Sequence, residues 1–191
     1  MFQDKINLFS GRWLNSAAIV VLASTILCLL GPIKLFSESE IPLTLQSLLV
    51  VIIPVLIGWR MGGIAVLTYL VAGAIGLPVF VEYSSGFDKF LGTTGGFLIA
   101  FLAGAIVAGF VAESEKFSAI IRALIALLAG HFIILFLGLT WFWRLVPEDD
   151  KLGRIIHFFG PATLLKIALS LLIIQIILRL KQRSTKSNSL G

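Results

Sequence analysis

Thr94-Gly-Gly-Phe-Leu-Ile-Ala-Phe-Leu-Ala-Gly-Ala-Ile-Val-Ala-Gly-Phe-Val-Ala112 runs without a single charge until Glu113 closes it. As an α-helix rising ~1.5 Å per residue, the run reaches roughly 28 Å, close to the ~30 Å depth of a bilayer's hydrocarbon layer. It reads as a membrane-spanning helix. Small residues recur along it at Gly96, Ala100, Gly104 and Ala108, a four-residue spacing that lets a second backbone approach closely. The stripe predicts a packing face, either for another helix of this chain or for docking a separate membrane subunit. Ala72 and Gly76 in the preceding apolar run have the same spacing and offer a mate.

Outward from this run lie five more, at about 13–33, 43–59, 61–81, 118–143 and 160–179, parted by short segments that hold nearly all the charge. The expected fold is an all-α integral membrane protein: one domain over 1–191, a bundle of six transmembrane helices, and a basic tail at 180–191. Composition agrees, with 58% hydrophobic and 13% charged residues, against roughly a quarter charged in soluble domains. Too little polar surface remains to cover a water-soluble globule. Pro54 in the second run is tolerable as a kink where neighbours satisfy the freed carbonyl. Lys5 and Arg12 precede the first run as they would in a signal peptide, but no A-x-A cleavage pattern follows before Lys34, so the run is kept as a helix. Cys28 has no second thiol to pair with.

Six spans put both termini on one side. That side collects Lys5, Arg12, Arg60, Lys116, Arg122, Arg179, Lys181, Arg183 and Lys186 against Asp4, Glu113 and Glu115. The opposite side has Lys34, Lys89, Arg144, Lys151 and Arg154 against Glu38, Glu40, Glu82, Asp88, Glu148, Asp149 and Asp150. The positive-inside rule makes the first side cytoplasmic in a plasma membrane. The basic tail is accounted for by this rule and by anionic lipid, and nucleic acid is no partner for so apolar a chain.

Lys166 is the ionisable residue most clearly inside a span, about two turns from the outer end. Either it snorkels to the interface or it holds an anionic or hydrogen-bonding ligand. His131 reads as a hydrogen-bonded packing residue, since no second His, Cys or carboxylate stands at ligand spacing, and a metal site is not supported. The outer segment Gly86-Phe-Asp-Lys-Phe-Leu-Gly-Thr-Thr-Gly-Gly-Phe97 is rich in glycine, but the chain has no G-x-x-x-x-G-K-[ST], so transport would draw energy from an ion gradient or a partner ATPase. Without G-x-S-x-G, H-E-x-x-H or an embedded carboxylate pair, an enzyme is the weaker class. A structural or assembly role, with the stripe as working surface, is the alternative to ligand binding.

Three segments, Ile41-Pro-Leu-Thr-Leu-Gln-Ser47, Gly73-Ala-Ile-Gly-Leu-Pro-Val-Phe80 and Gly92-Thr-Thr-Gly-Gly-Phe97, together resemble the BioY family, the biotin-specific S components of energy-coupling factor (ECF) importers, in order and spacing. The similarity covers residues 40 to 110 well and the first, fifth and sixth runs more thinly. The resemblance implies a substrate-binding membrane subunit that takes biotin as cargo, uses no cofactor, and works with a transmembrane coupling protein and a pair of ABC ATPases. The ligand would lie near the outer face, with Lys166, Thr163, Gln46, Phe80, Tyr83, Lys89, Thr94 and Gly95 as candidate site residues. For each a plainer reading stands beside this: Gln46 bridging two helices, Phe80 and Tyr83 anchoring the interface, Lys89 paired with Asp88, and Thr94, Gly95 and Gly96 shaping the loop. The family's last helix typically begins P-G-D-x-x-K, whereas this chain reads Pro161-Ala-Thr-Leu-Leu-Lys166. With Thr163 in place of the aspartate, either Gln46, Tyr83 or a backbone carbonyl supplies the missing acceptor, or the cargo is another small vitamin or a biotin precursor.

Overall fold

The computed structural model describes residues 12–36, 43–145 and 160–187. Among these residues are six α-helices: α1 (Arg12–Leu30), α2 (Leu45–Ile57), α3 (Trp59–Ala74), α4 (Gly95–Ala112), α5 (Ala119–Leu145) and α6 (Gly160–Ser187). A short antiparallel ribbon, β1 (Lys34–Phe36) with β2 (Leu43–Thr44), connects α1 to α2 in the register Lys34 to Thr44. The sequence reading did not foresee it. Two 3-10 turns, Val81–Tyr83 and Phe87–Phe90, lie between α3 and α4.

Gly95–Ala112, Ala119–Leu145 and Pro161–Leu180 are long and apolar enough to cross a membrane; Asn15–Leu30, Leu45–Ile57 and Trp59–Ala74 are shorter apolar helices. α2 is short but sits at the centre, touching α1, α3, α4, α5 and α6, and is buried continuously from Val50 to Val55. It ends at Gly58, whose φ of 90° reverses the chain, so that α3 starts at Trp59. Gly62 then packs on Pro54: a Cβ added there would stand 2.5 Å from the proline Cα. The proline thus marks a tight hairpin.

The third run was expected to stay helical to residue 81, yet α3 stops at Ala74. Gly76, with φ +112°, donates to the Gly73 carbonyl at 3.2 Å while Leu77 donates to Ala72 at 3.0 Å, a glycine-terminated helix end that Pro78 follows. At the other extreme, α6 continues past 179 to Ser187, because the end of an apolar run is not the end of helix-forming residues. The last four residues of the expected tail, the anions Asp4, Glu38, Glu40, Glu148, Asp149 and Asp150, and the cations Lys5, Lys151 and Arg154 lie outside the described residues.

The small-residue stripe is consumed inside the chain. Gly96 faces the Trp141 side chain, a Cβ on Gly104 would lie 2.5 Å from Ile134 Cγ1 and 2.9 Å from the Gly130 carbonyl, and Ala108 meets Gly130. All four stripe positions are buried, Gly96, Gly104 and Ala108 along the α4–α5 seam, so they are not available to a separate subunit. Ala72 and Gly76 are not the mate. α3 meets α4 instead through Gly63 against Ile106 and Trp59 against Gly109.

Candidate ligand cavity

Chain direction alternates through the bundle, so the start of α2, the end of α3, the start of α4 and the start of α6 share one end, opposite the start of α1. A cavity of about 280 Å³ opens there, near the lower bound of small-molecule sites at ~300 Å³. Six of the expected site residues line it: Gln46 from α2, Phe80 from the segment after α3, Lys89 and Thr94 before α4, and Thr163 and Lys166 from α6. The remaining two do not. Tyr83 is 63% exposed with a left-handed φ of 58°, and Gly95 is buried against the Phe90 carbonyl, where only glycine fits.

Each wall is fixed by a local cause. Phe80 is buried with its ring over Gly73, edge-on to Tyr69 and Phe90 at 5.7 Å each, and Phe87 stacks on Phe90. The absence of a Cβ at Gly73 is what admits the ring. Gly86, with φ +106°, donates to the Gly73 carbonyl at 2.8 Å and folds the glycine-rich segment back onto the end of α3. Trp141 of α5 clamps the same segment by donating from Nε1 to the Gly92 carbonyl at 3.0 Å. On the rim, Lys34 of β1 pairs with Glu82, and Glu82 N–H donates to the Pro32 carbonyl at 3.3 Å, tying the ribbon to the cavity mouth.

The polar groups of the interior are set by their partners. Tyr69, fully buried, donates its hydroxyl proton to the Val79 carbonyl at 3.2 Å and therefore meets Gln46 as an acceptor of the amide Nε2 proton. This relay leaves the Gln46 Oε1 as the end of the amide not held by Tyr69. Lys166, 8% exposed, donates from Nζ to Ser47 Oγ at 2.8 Å, leaving two further ammonium protons. It is held inside and does not snorkel. His131 also lines the cavity, 3% exposed, with Nδ1 on the Leu127 carbonyl at 2.9 Å. Sequence reasoning had set it aside as packing, and had not singled out Ser47 or Tyr69.

A helical bundle of membrane-spanning apolarity, with a half-polar cavity under the loops of one end, defines a membrane protein that holds a small molecule. Residues 4–183 match the BioY family, and the chain belongs to that family. It is 32% identical over 145 residues to biotin transporter BioY2 of Lactococcus lactis subsp. cremoris, covering 76% of this chain and 79% of the relative. With biotin transporter BioY of Rhodobacter capsulatus it shares 35% identity over 150 residues, 72% of this chain and 78% of that one. Its fold is similar to the crystal structure of the S-component for biotin from an ECF-type ABC transporter, with a TM-score of 0.75 at 23% identity over 90% of this chain and 95% of that chain.

Proposed function

We propose that this chain is the biotin-binding subunit of an ECF-type importer, holding biotin in the cavity under the outer loops. The observation that carries the reading is the match between the cavity's two ends and the two ends of the vitamin. A ureido ring presents two N–H donors and one carbonyl acceptor. The deep wall offers a mixed set for it: Lys166 as donor to the carbonyl, Gln46 Oε1 and Thr163 Oγ1 as acceptors. A carboxylate accepts only, and suits the mouth, where Lys89 and Thr94 stand at the positive N-terminal end of α4. Between them Phe80, Phe97, Leu98 and Phe101 give the apolar middle that a thioether ring and alkyl chain require. Thr163 serves as an uncharged acceptor, so the lack of an aspartate there does not by itself exclude biotin.

The test is titration of biotin into the detergent-purified protein, alongside biotin amide, whose tail is uncharged. Binding at micromolar biotin or tighter is expected, with a clear preference for the acid that Lys89→Met abolishes. No binding at micromolar biotin overturns the assignment. If Lys166→Met abolishes the preference instead, the ligand lies the other way round, a reading favoured by Lys166 being a buried cation whose hydrogen bond is to a hydroxyl.

The whole chain serves as one membrane domain of the plasma membrane, with both termini cytoplasmic and the cavity outward, supported by the distribution of Lys and Arg. Its partners are a transmembrane coupling protein and two ABC ATPases, since the chain has no phosphate-binding loop of its own. With the α4 stripe occupied, the exposed face of α1 bearing Ala17, Ala18, Val21 and Leu22 is the surface assigned here to the coupling protein. Co-purification of the tagged chain with those subunits, lost on introducing tryptophan at Ala18, is the check.

A further inference from the structure

His131 is the one wall residue whose buried side chain ends in an atom with no counterpart: Nε2 is inaccessible to solvent and has no hydrogen-bond partner among the described residues. Its chemical character is set by the other nitrogen. The Leu127 carbonyl, 2.9 Å from Nδ1, can only accept, so Nδ1 carries the proton. A doubly protonated ring would then bury both a positive charge and an unanswered donor, which is the costlier state in an apolar wall. The neutral ring presents Nε2 as a bare lone pair. The imidazole forms part of the cavity wall, with Nε2 covered in the empty cavity, so a ligand's donor meets it once a neighbouring side chain gives way. A buried acceptor left unmatched is unfavourable, and a ligand that supplies a donor there removes the penalty while one that cannot leaves it in place.

We infer that His131, through Nε2, accepts a hydrogen bond from an N–H of the bound molecule and so selects ligands with a cyclic urea or similar N–H donor over isosteres that lack one. The inference rests on the biotin reading above and assigns one ureido N–H to α5, with Gln46 or Thr163 left for the second. It makes His131 a specificity-determining residue, and a purely packing histidine would behave differently in the following cycle.

Biotin and its two mono-N-methylated ureido isomers are titrated by calorimetry into the wild-type protein and into His131→Leu, His131→Gln and His131→Phe. Loss of one neutral hydrogen bond predicts that His131→Leu weakens biotin by about fivefold to tenfold. His131→Gln, whose amide tip falls near the Nε2 position, is expected to retain affinity to within about threefold. One methyl isomer should weaken binding to the wild type by a factor at least about fivefold larger than it weakens binding to His131→Leu, the non-additivity that marks a direct contact. His131→Phe fills the ring's volume and supplies the same comparison if the leucine chain does not fold. Biotin affinity within about twofold of wild type in the leucine or phenylalanine chain overturns the inference, as do equal losses for both isomers in all proteins. Failure of the wild-type protein to bind biotin is a separate outcome, and overturns the parent reading along with this one.

Discussion

Replacing Lys166 by methionine tests the cavity most directly, because it removes the charge and keeps the length of the side chain. Nζ lies 2.8 Å from Ser47 Oγ, and the residue is 8% exposed. A hydrogen bond from a charged donor to a ligand carbonyl contributes about 1.5–3 kcal/mol net, so biotin affinity should fall by about tenfold to 150-fold. Stability should move the other way. A buried ammonium answered by a hydroxyl carries a desolvation cost that the thioether does not, so the ligand-free protein should melt no lower, and by this argument somewhat higher. The separation of the two effects is the signature: affinity drops while the apo transition holds or rises. Calorimetric titration and thermal unfolding of the same detergent preparation read both. Affinity within twofold of wild type would refute the assignment of Lys166 to the ligand, and a marked fall in apo stability at unchanged affinity would make the lysine a structural strut.

Further tests probe the scaffold. Gly104→Ala should destabilise by about 1–3 kcal/mol, because its Cβ would meet Ile134 Cγ1 at 2.5 Å and the fixed Gly130 carbonyl at 2.9 Å. Gly63→Ala, with Ile106 Cγ1 at 3.3 Å, should be neutral or slightly stabilising; thermal unfolding compares them. Tyr69→Phe removes the hydroxyl that joins Gln46 to Val79. Leaving those buried groups unanswered should cost about 1–3 kcal/mol and, by freeing the Gln46 amide to turn, weaken biotin several-fold in titration. Glu82→Gln breaks the rim pair with Lys34, whose side chains are 25% (Lys34) and 65% (Glu82) exposed. Stability should change by no more than about 1 kcal/mol, while biotin dissociation measured by stopped flow becomes faster and less dependent on salt.

The membrane helices were legible because lipid selects for long uncharged runs, and each of the six runs holds a helix among the described residues. The lengths of α2 and α3 were not. A window of apolar residues records what may lie in hydrocarbon, and Ile75, Leu77, Val79 and Val81 satisfy it although Gly76 and Pro78 have already ended the helix. The stop signal was present in the motif Gly73–Phe80, and hydropathy outweighed it. The ribbon between Lys34 and Thr44 was illegible for another reason: two strands of three and two residues carry no period, and their pairing depends on where α1 and α2 leave the bundle.

For the site, a residue was legible when its own chemistry is out of place in lipid, and illegible when its role depends on a second element. Lys166 and Gln46 announce themselves as a charge and an amide in apolar runs. His131 was read as a hydrogen-bonded packing residue, which its bond to the Leu127 carbonyl bears out; its place in the cavity wall depends on which face of α5 it shares. Ile134, Leu135 and Gly138 follow at three, four and seven residues, the spacing of one helical stripe, and Gly104 and Phe97 of α4 pack on that stripe at Ile134 and Gly138. The face that closes the α4–α5 seam therefore also presents the imidazole to the cavity. Small residues on α4 bring α5 into close packing at Ile134 and Gly138, and His131 on the neighbouring turn lines the cavity, so if the inference about His131 holds, the stripe that first suggested a docking surface would serve ligand recognition from inside the bundle.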